Sequence, residues 1–100
     1  MIQENTKKRI ILLVDQTGMR HASVGYKYTI SCVENVLESG DRSFRIRDIY
    51  ENVGRQYNVK WTTVERAIRI AITQSDGEGK KKTNKEIVSQ IVDAIYGGEL

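Results

Sequence analysis

Apolar residues recur along this chain at the spacing of helices rather than strands. Tyr26, Ile30, Val33 and Leu37 fall four, three and four apart, Cys32 and Val36 widen the stripe, and Gly40 stands where such a helix would end. Ile46, Ile49, Tyr50, Val53 and Tyr57 follow the i, i+3, i+4, i+7, i+11 template, with Phe44 just ahead of them. After a short break Val64, Ala67, Ile68, Ala71 and Ile72 repeat it. A last stripe of Ile87, Val88, Ile91, Val92 and Ile95 follows Thr83 and Glu86, whose spacing is that of a capping box. The run Ile10–Val14 predicts a first helix reaching about Gln16, while residues 1–9 lack apolar periodicity and are expected to form a flexible lead-in. Gly18 and Gly25 read as brackets of one loop, and Ser75–Lys82 reads as another. The expected architecture is all-α, a compact bundle of about five helices forming one domain over residues 10–96. The absence of proline fits this, since no helix interior is broken by that residue.

Composition narrows the chemistry. The 100 residues are 39% hydrophobic and 29% charged, with a net charge of +3, an ordinary globular mixture that can bury a core of its own. No apolar stretch exceeds Ile10–Val14, too short for a signal sequence or a membrane span, so a soluble cytoplasmic protein without a membrane partner is expected. One cysteine, Cys32, and one histidine, His21, supply neither a disulfide framework nor a His/Cys zinc site. Cys32 lies between apolar neighbours and reads as a core thiol, and His21 has no partner at nucleophile–base spacing. Gly77-Glu78-Gly79-Lys80 lacks the spacing and the hydroxyl residue of a phosphate-binding loop, and Asp76 with Glu78 is too little for calcium. The run Lys80-Lys81-Lys82 reads as a solvated face. No enzyme, metal or cofactor is expected.

The informative segment lies between Ile46 and Ile72, where two amphipathic helices are separated only by Asn58-Val59-Lys60-Trp61. This is helix-turn-helix spacing. Asn58 tolerates the left-handed conformation that ends many helices, and Val59 can plug the gap between the two. Thr62, with Glu65 three residues on, is expected to cap a recognition helix over residues 62–74. Rotated at 100° per residue, that helix turns Thr62, Arg66, Arg69 and Thr73 away from its apolar side, with Glu65 on the flank. Between Arg42 and Arg69 seven basic residues stand against three acids, more positive than the whole chain. Such a face suits the major groove of double-stranded DNA, where arginine forks onto guanine and threonine meets phosphate or a thymine methyl. Glu65 is open to either capping or base contact, Trp61 reads as packing, and of Tyr26 and Tyr28 one is expected in the core. The alternative reading is a helical protein-interaction module in which Ile70, off the core stripe, belongs to an apolar contact patch.

At Val64-Glu65-Arg66-Ala67-Ile68-Arg69 the sequence resembles the C-terminal DNA-binding effector domains of the stage-zero sporulation protein A family. The similarity continues in register through Gly18, Gly25-Tyr26, Tyr28, Tyr50 and Asn58, and resumes at Thr83-Asn84, Glu86 and Asp93. It implies an all-α domain that binds short DNA boxes in tandem and regulates transcription, with RNA polymerase as a further partner. By position it implies that Glu65 and Arg66 read bases and that Thr62 supplies a hydroxyl at the helix start. Where the family carries an arginine and a histidine this chain has Thr63 and Ile70, which implies a different preferred box. The family's segment before the last helix is also longer. The candidate DNA-contacting set is Arg55, Lys60, Thr62, Thr63, Glu65, Arg66 and Arg69. Five helices occupy the chain, so no receiver domain is expected in it, and a monomer or weak dimer should pair side by side on DNA.

Overall fold

A computed structural model describes residues 2–76 and 81–98. Five helices carry them: α1 (Glu4–Gln16), α2 (Val24–Ser39), α3 (Ile46–Tyr57), α4 (Trp61–Thr73) and α5 (Asn84–Gly97), with no strand among the described residues. Gly77-Glu78-Gly79-Lys80, weighed above as a phosphate-binding loop and in the lysine run, lies outside them.

The helix boundaries follow local chemistry. Ser23 caps α2 by accepting the Tyr26 N–H, and Gly40 ends it in the left-handed conformation at φ 71°. Thr83 and Glu86 form the expected capping box on α5, with the Thr83 hydroxyl accepting the Glu86 N–H and the Glu86 carboxylate accepting the Thr83 N–H. The Thr83 N–H donating to that carboxylate, with the Thr83 side chain beside it, holds the Glu86 carboxyl below its ordinary pKa.

Two expectations need correction. Residues 4–9 belong to α1 rather than to a flexible lead-in, because charges hold them down where apolar periodicity is missing. Lys7 pairs with Glu34 of α2 at 3.1 Å, and the Arg9 guanidinium donates to the Ile95 carbonyl of α5 at 3.1 Å. Gly25, in turn, brackets no loop. It lies in the first turn of α2 against α4, where a Cβ would come within 2.2 Å of the Ala67 carbonyl oxygen and 2.6 Å of the Ala71 Cβ. Only a residue without a side chain permits that approach.

α2 runs through the centre and packs on each of the other four helices. The core draws Ile10 and Val14 from α1, Val33 and Val36 from α2, Val53 from α3, Val64 and Ile68 from α4, and Val88 and Val92 from α5. Each such side chain contributes about 1.5–3 kcal/mol by leaving water. Cys32 lies among them, and burial pushes its thiol up to about 12. Of Tyr26 and Tyr28 it is Tyr28 that lies in the core, while the half-buried Tyr26 donates its hydroxyl to Asp15 at 2.7 Å. Burial and that carboxylate push the Tyr26 hydroxyl up to about 12.

Candidate nucleic-acid interface

The site begins where α3 stops. Asn58 adopts φ 57° and ψ 46°, the one positive φ outside glycine among the described residues. That reversal lets the Val59 N–H donate to the Gly54 carbonyl at 2.9 Å, and the partly buried Val59 packs against the core. Gly54 is required by the same fold-back, since a Cβ there would lie 2.6 Å from the Val59 carbonyl oxygen. Three residues, Asn58, Val59 and Lys60, thus join the helices, one fewer than expected because Trp61 opens α4, a spacing consistent with a helix-turn-helix.

The start of α4 differs from expectation. Lys60, extended at φ −71° and ψ 149°, is the N-cap residue, its side chain makes no capping bond, and Thr62 lies within the first turn. The start is set by packing instead. Trp61 stacks parallel to Tyr50 with ring centroids 6.4 Å apart, and the Arg47 guanidinium covers its ring at 4.5 Å. With the indole fixed there, the Lys60 carbonyl accepts from Thr63 and Val64 at 3.0 and 3.3 Å.

Beyond that point α4 has the two predicted sides. Val64, Ile68, Ala71 and Ile72 are buried, while Thr62, Thr63, Arg66, Arg69, Ile70 and Thr73 are exposed. Glu65 is half-buried on the flank, and its carboxylate accepts from the Arg69 Nε at 2.9 Å. Its carbonyl accepts from the Asn84 side-chain amide at 3.1 Å, and the same amide nitrogen donates to the Tyr50 hydroxyl at 2.9 Å. Burial pushes that hydroxyl up to about 12, so it remains a neutral partner.

Partners sort the seven basic residues between Arg42 and Arg69. Arg42 meets Asp93 of α5 at 2.6 Å, Arg47 meets Glu51 at 3.6 Å, and Arg69 meets Glu65. Arg55 donates to the neutral Asn52. Arg45, Lys60 and Arg66 make no ion pair among the described residues. Of the candidate set, therefore, Glu65 and Arg69 are brought together as a pair, Arg66 stands open on the outer face, and Arg55 and Lys60 border a shallow groove of about 520 Å³ at the turn. Thr62, Thr63 and Arg66 line another, of about 600 Å³, on the outer flank of α4.

Three contributors escaped the sequence reading. Lys82 and Lys85 come beside Arg69 and Thr73 around a groove of about 470 Å³, and Val24 stands at the edge of the outer groove. The capping box at Thr83 fixed where α5 starts, but nothing local showed that α5 begins next to α4. Ser23, a good N-cap type three residues before Tyr26, was the missed signal for Val24.

The family model described as Sporulation initiation factor Spo0A C terminal matches residues 10–95. The chain belongs to that family. At family level it is a DNA-binding domain of a sporulation regulator, a class of regulators rather than of enzymes. Neither the curated proteins nor the solved structures gave a match. Several residues that carry the resemblance to Spo0A C-terminal domains make long-range contacts here: Tyr50 bonds with Asn84, Asp93 pairs with Arg42, and Gly25 lies against the backbone of α4. Among the described residues no helix is long and apolar enough to cross a membrane, and no three metal-ligating side chains gather.

Proposed function

We propose that this chain is a sequence-specific regulator of transcription that lays α4 in the major groove of double-stranded DNA. Arg66 reads a base edge, Glu65 and Arg69 act as a preformed pair beside it, and Thr62 and Thr63 serve the first turn. Arg55 and Lys60 hold phosphates. The observation that carries this reading is the exposed outer face of α4, on which Arg66 stands without an acidic partner among the described residues, while the exposed Lys60, also without one among them, lies in the turn before the helix. An open arginine fork is what a guanine edge takes up, and lone cations near it are what phosphates take up. One such module covers only about 600–1,000 Å² of protein surface. A cytoplasmic monomer or weak dimer filling adjacent boxes side by side, and meeting RNA polymerase there, is the form of action this size favours.

A salt titration of binding to a mixed-sequence duplex tests the proposal. Between Arg42 and Arg69 the four cations without an acidic partner among the described residues, Arg45, Arg55, Lys60 and Arg66, give a slope of log affinity on log salt of about −3.6 at −0.9 per phosphate. Affinity that ignores salt would refute it. A second reading, a protein-docking module, has the exposure of Ile70 and Val24 in its favour, and flat salt dependence is its signature.

A further inference from the structure

The outer flank of α4 carries an apolar element that the basic face leaves unused. Ile70 is 45% exposed and Val24 is 53% exposed, and both line the groove of about 600 Å³ that also holds Thr63, Arg66 and Ala67. Their juxtaposition is built into the fold. The close approach of Gly25 to the Ala67 carbonyl carries the neighbouring Val24 to the edge of α4 on the side of Ile70. On α4 itself Thr63, Arg66 and Ile70 follow at i, i+3 and i+7, a single ridge. Along it stand a hydroxyl with a methyl, an open cation and a branched alkyl group.

The base edges of a major groove offer one apolar group, the C5 methyl of thymine, among the acceptors that arginine reads on guanine. We infer that Ile70, walled by Val24, is a specificity-determining residue that takes the methyl of a thymine while Arg66 takes a guanine. Phosphate is the wrong occupant for this end of the ridge, because neither alkyl side chain can donate a hydrogen bond. The register follows from helix geometry: four residues from Arg66 to Ile70 rise about 6 Å, which is about two base steps of 3.4 Å. This deepens the DNA-binding reading and rests on it.

The test uses the full chain and a duplex box selected from a random pool, in which each thymine is replaced in turn by deoxyuridine, identical but for the methyl. The wild type should lose about fourfold in affinity at one position, the effect of removing about 0.8 kcal/mol of carbon burial. That position should lie about two steps from the pair whose preference vanishes in Arg66→Ala. Ile70→Ala should bind the thymine and uracil duplexes equally, with helicity retained because a side chain 45% exposed lies outside the buried core. Uracil tolerated at every position, or discrimination that survives Ile70→Ala, would overturn the inference and leave the DNA-binding reading standing. Failure of any duplex to bind in a salt-dependent way would remove the reading beneath it as well.

Discussion

Gly25→Ala is the sharpest probe of how the fold positions α4. In an ordinary helix the change would stabilise, since alanine is better than glycine by up to about 1 kcal/mol. Here the added Cβ would stand 2.2 Å from the Ala67 carbonyl oxygen, 2.8 Å from its carbon and 2.6 Å from the Ala71 Cβ. Carbon pairs are comfortable at about 3.5–4.0 Å, so α2 and α4 must separate by about 1 Å, which forfeits a quarter to a half of each contact across the seam. None of the opposing atoms is the tip of a flexible side chain, so rotation cannot absorb the clash. Overpacking of this kind costs about 1–3 kcal/mol, and a net loss of about 2 kcal/mol corresponds to a fall in Tm of about 8–16 °C for a domain of this size. Thermal unfolding followed by far-UV circular dichroism measures it. Gly40→Ala is the control, because φ 71° strains alanine while no atom lies within 4 Å of the new Cβ. It should cost only the backbone strain of about 1–2 kcal/mol. A Gly25→Ala protein melting at or above the wild type would refute the packing argument and the placement of Val24 that depends on it.

Replacing Arg66 with alanine should cost about 1–3 kcal/mol in binding and flatten the preference at one base pair, whereas Lys60→Ala should weaken all duplexes alike, as competition with selected and scrambled sequences would reveal. Thr83→Ala removes a capping bond and should lower stability by about 1 kcal/mol at neutral pH in urea unfolding. Because the folded pKa of Glu86 lies below its unfolded value near 4.5, its contribution is present above that pH and is lost as pH falls through the folded value. The acid limb of the stability profile should therefore be shallower in Glu86→Gln, which removes the titrating carboxyl, and identical limbs would contradict the capping box. The Cys32 thiol, pushed up to about 12 by burial, should resist alkylation near pH 8 until the protein unfolds. Rapid labelling of folded protein would show that the thiol is reached without unfolding.

Much of this architecture is legible from period alone, and the exceptions share a cause. The stripes of α2 to α5 record apolar burial, which repeats every turn and so marks the sequence. The first two turns of α1 are held by Lys7 to Glu34 and Arg9 to Ile95, pairings between charges and backbone far apart in the chain. No local pattern carries that information. Gly25 looked like loop punctuation because a glycine demanded by a neighbouring helix and one demanded by a turn read the same. The start of α4 moved from Thr62 to Trp61 because an aromatic stack on Tyr50 outweighed a hydroxyl cap. At the site, rotation alone separated the outer face of α4 from its core side. It could not tell that Arg42 is occupied by Asp93, 51 residues away, or that Arg66 has no acidic partner among the described residues.

That last distinction bears on how a small domain keeps a firm reading surface. A helix that must present arginines to a partner cannot use them to hold itself in place. α4 is held by other means: its buried aliphatic side, the Gly25 seam with α2, and the Asn84 amide that ties the Glu65 carbonyl to the Tyr50 hydroxyl. Asn84 is buried at 9% exposure, so its two donated bonds replace water rather than compete with it, and losing them would leave the carbonyl and hydroxyl without those donors. The bonds join α3, α4 and α5 at one point, on the backbone of the residue that pairs with Arg69. Arg69 is thus oriented by a carboxylate whose own backbone is fixed, while Arg66, one residue beyond Glu65 and facing outward, keeps its donors free. The fold assigns anchoring to backbone, amide and aliphatic groups and leaves the guanidinium of Arg66 without an acidic partner among the described residues, as the recognition role proposed for it requires. A substitution at Asn84 should therefore disturb binding only as far as it disturbs stability, and one at Arg66 should do the reverse.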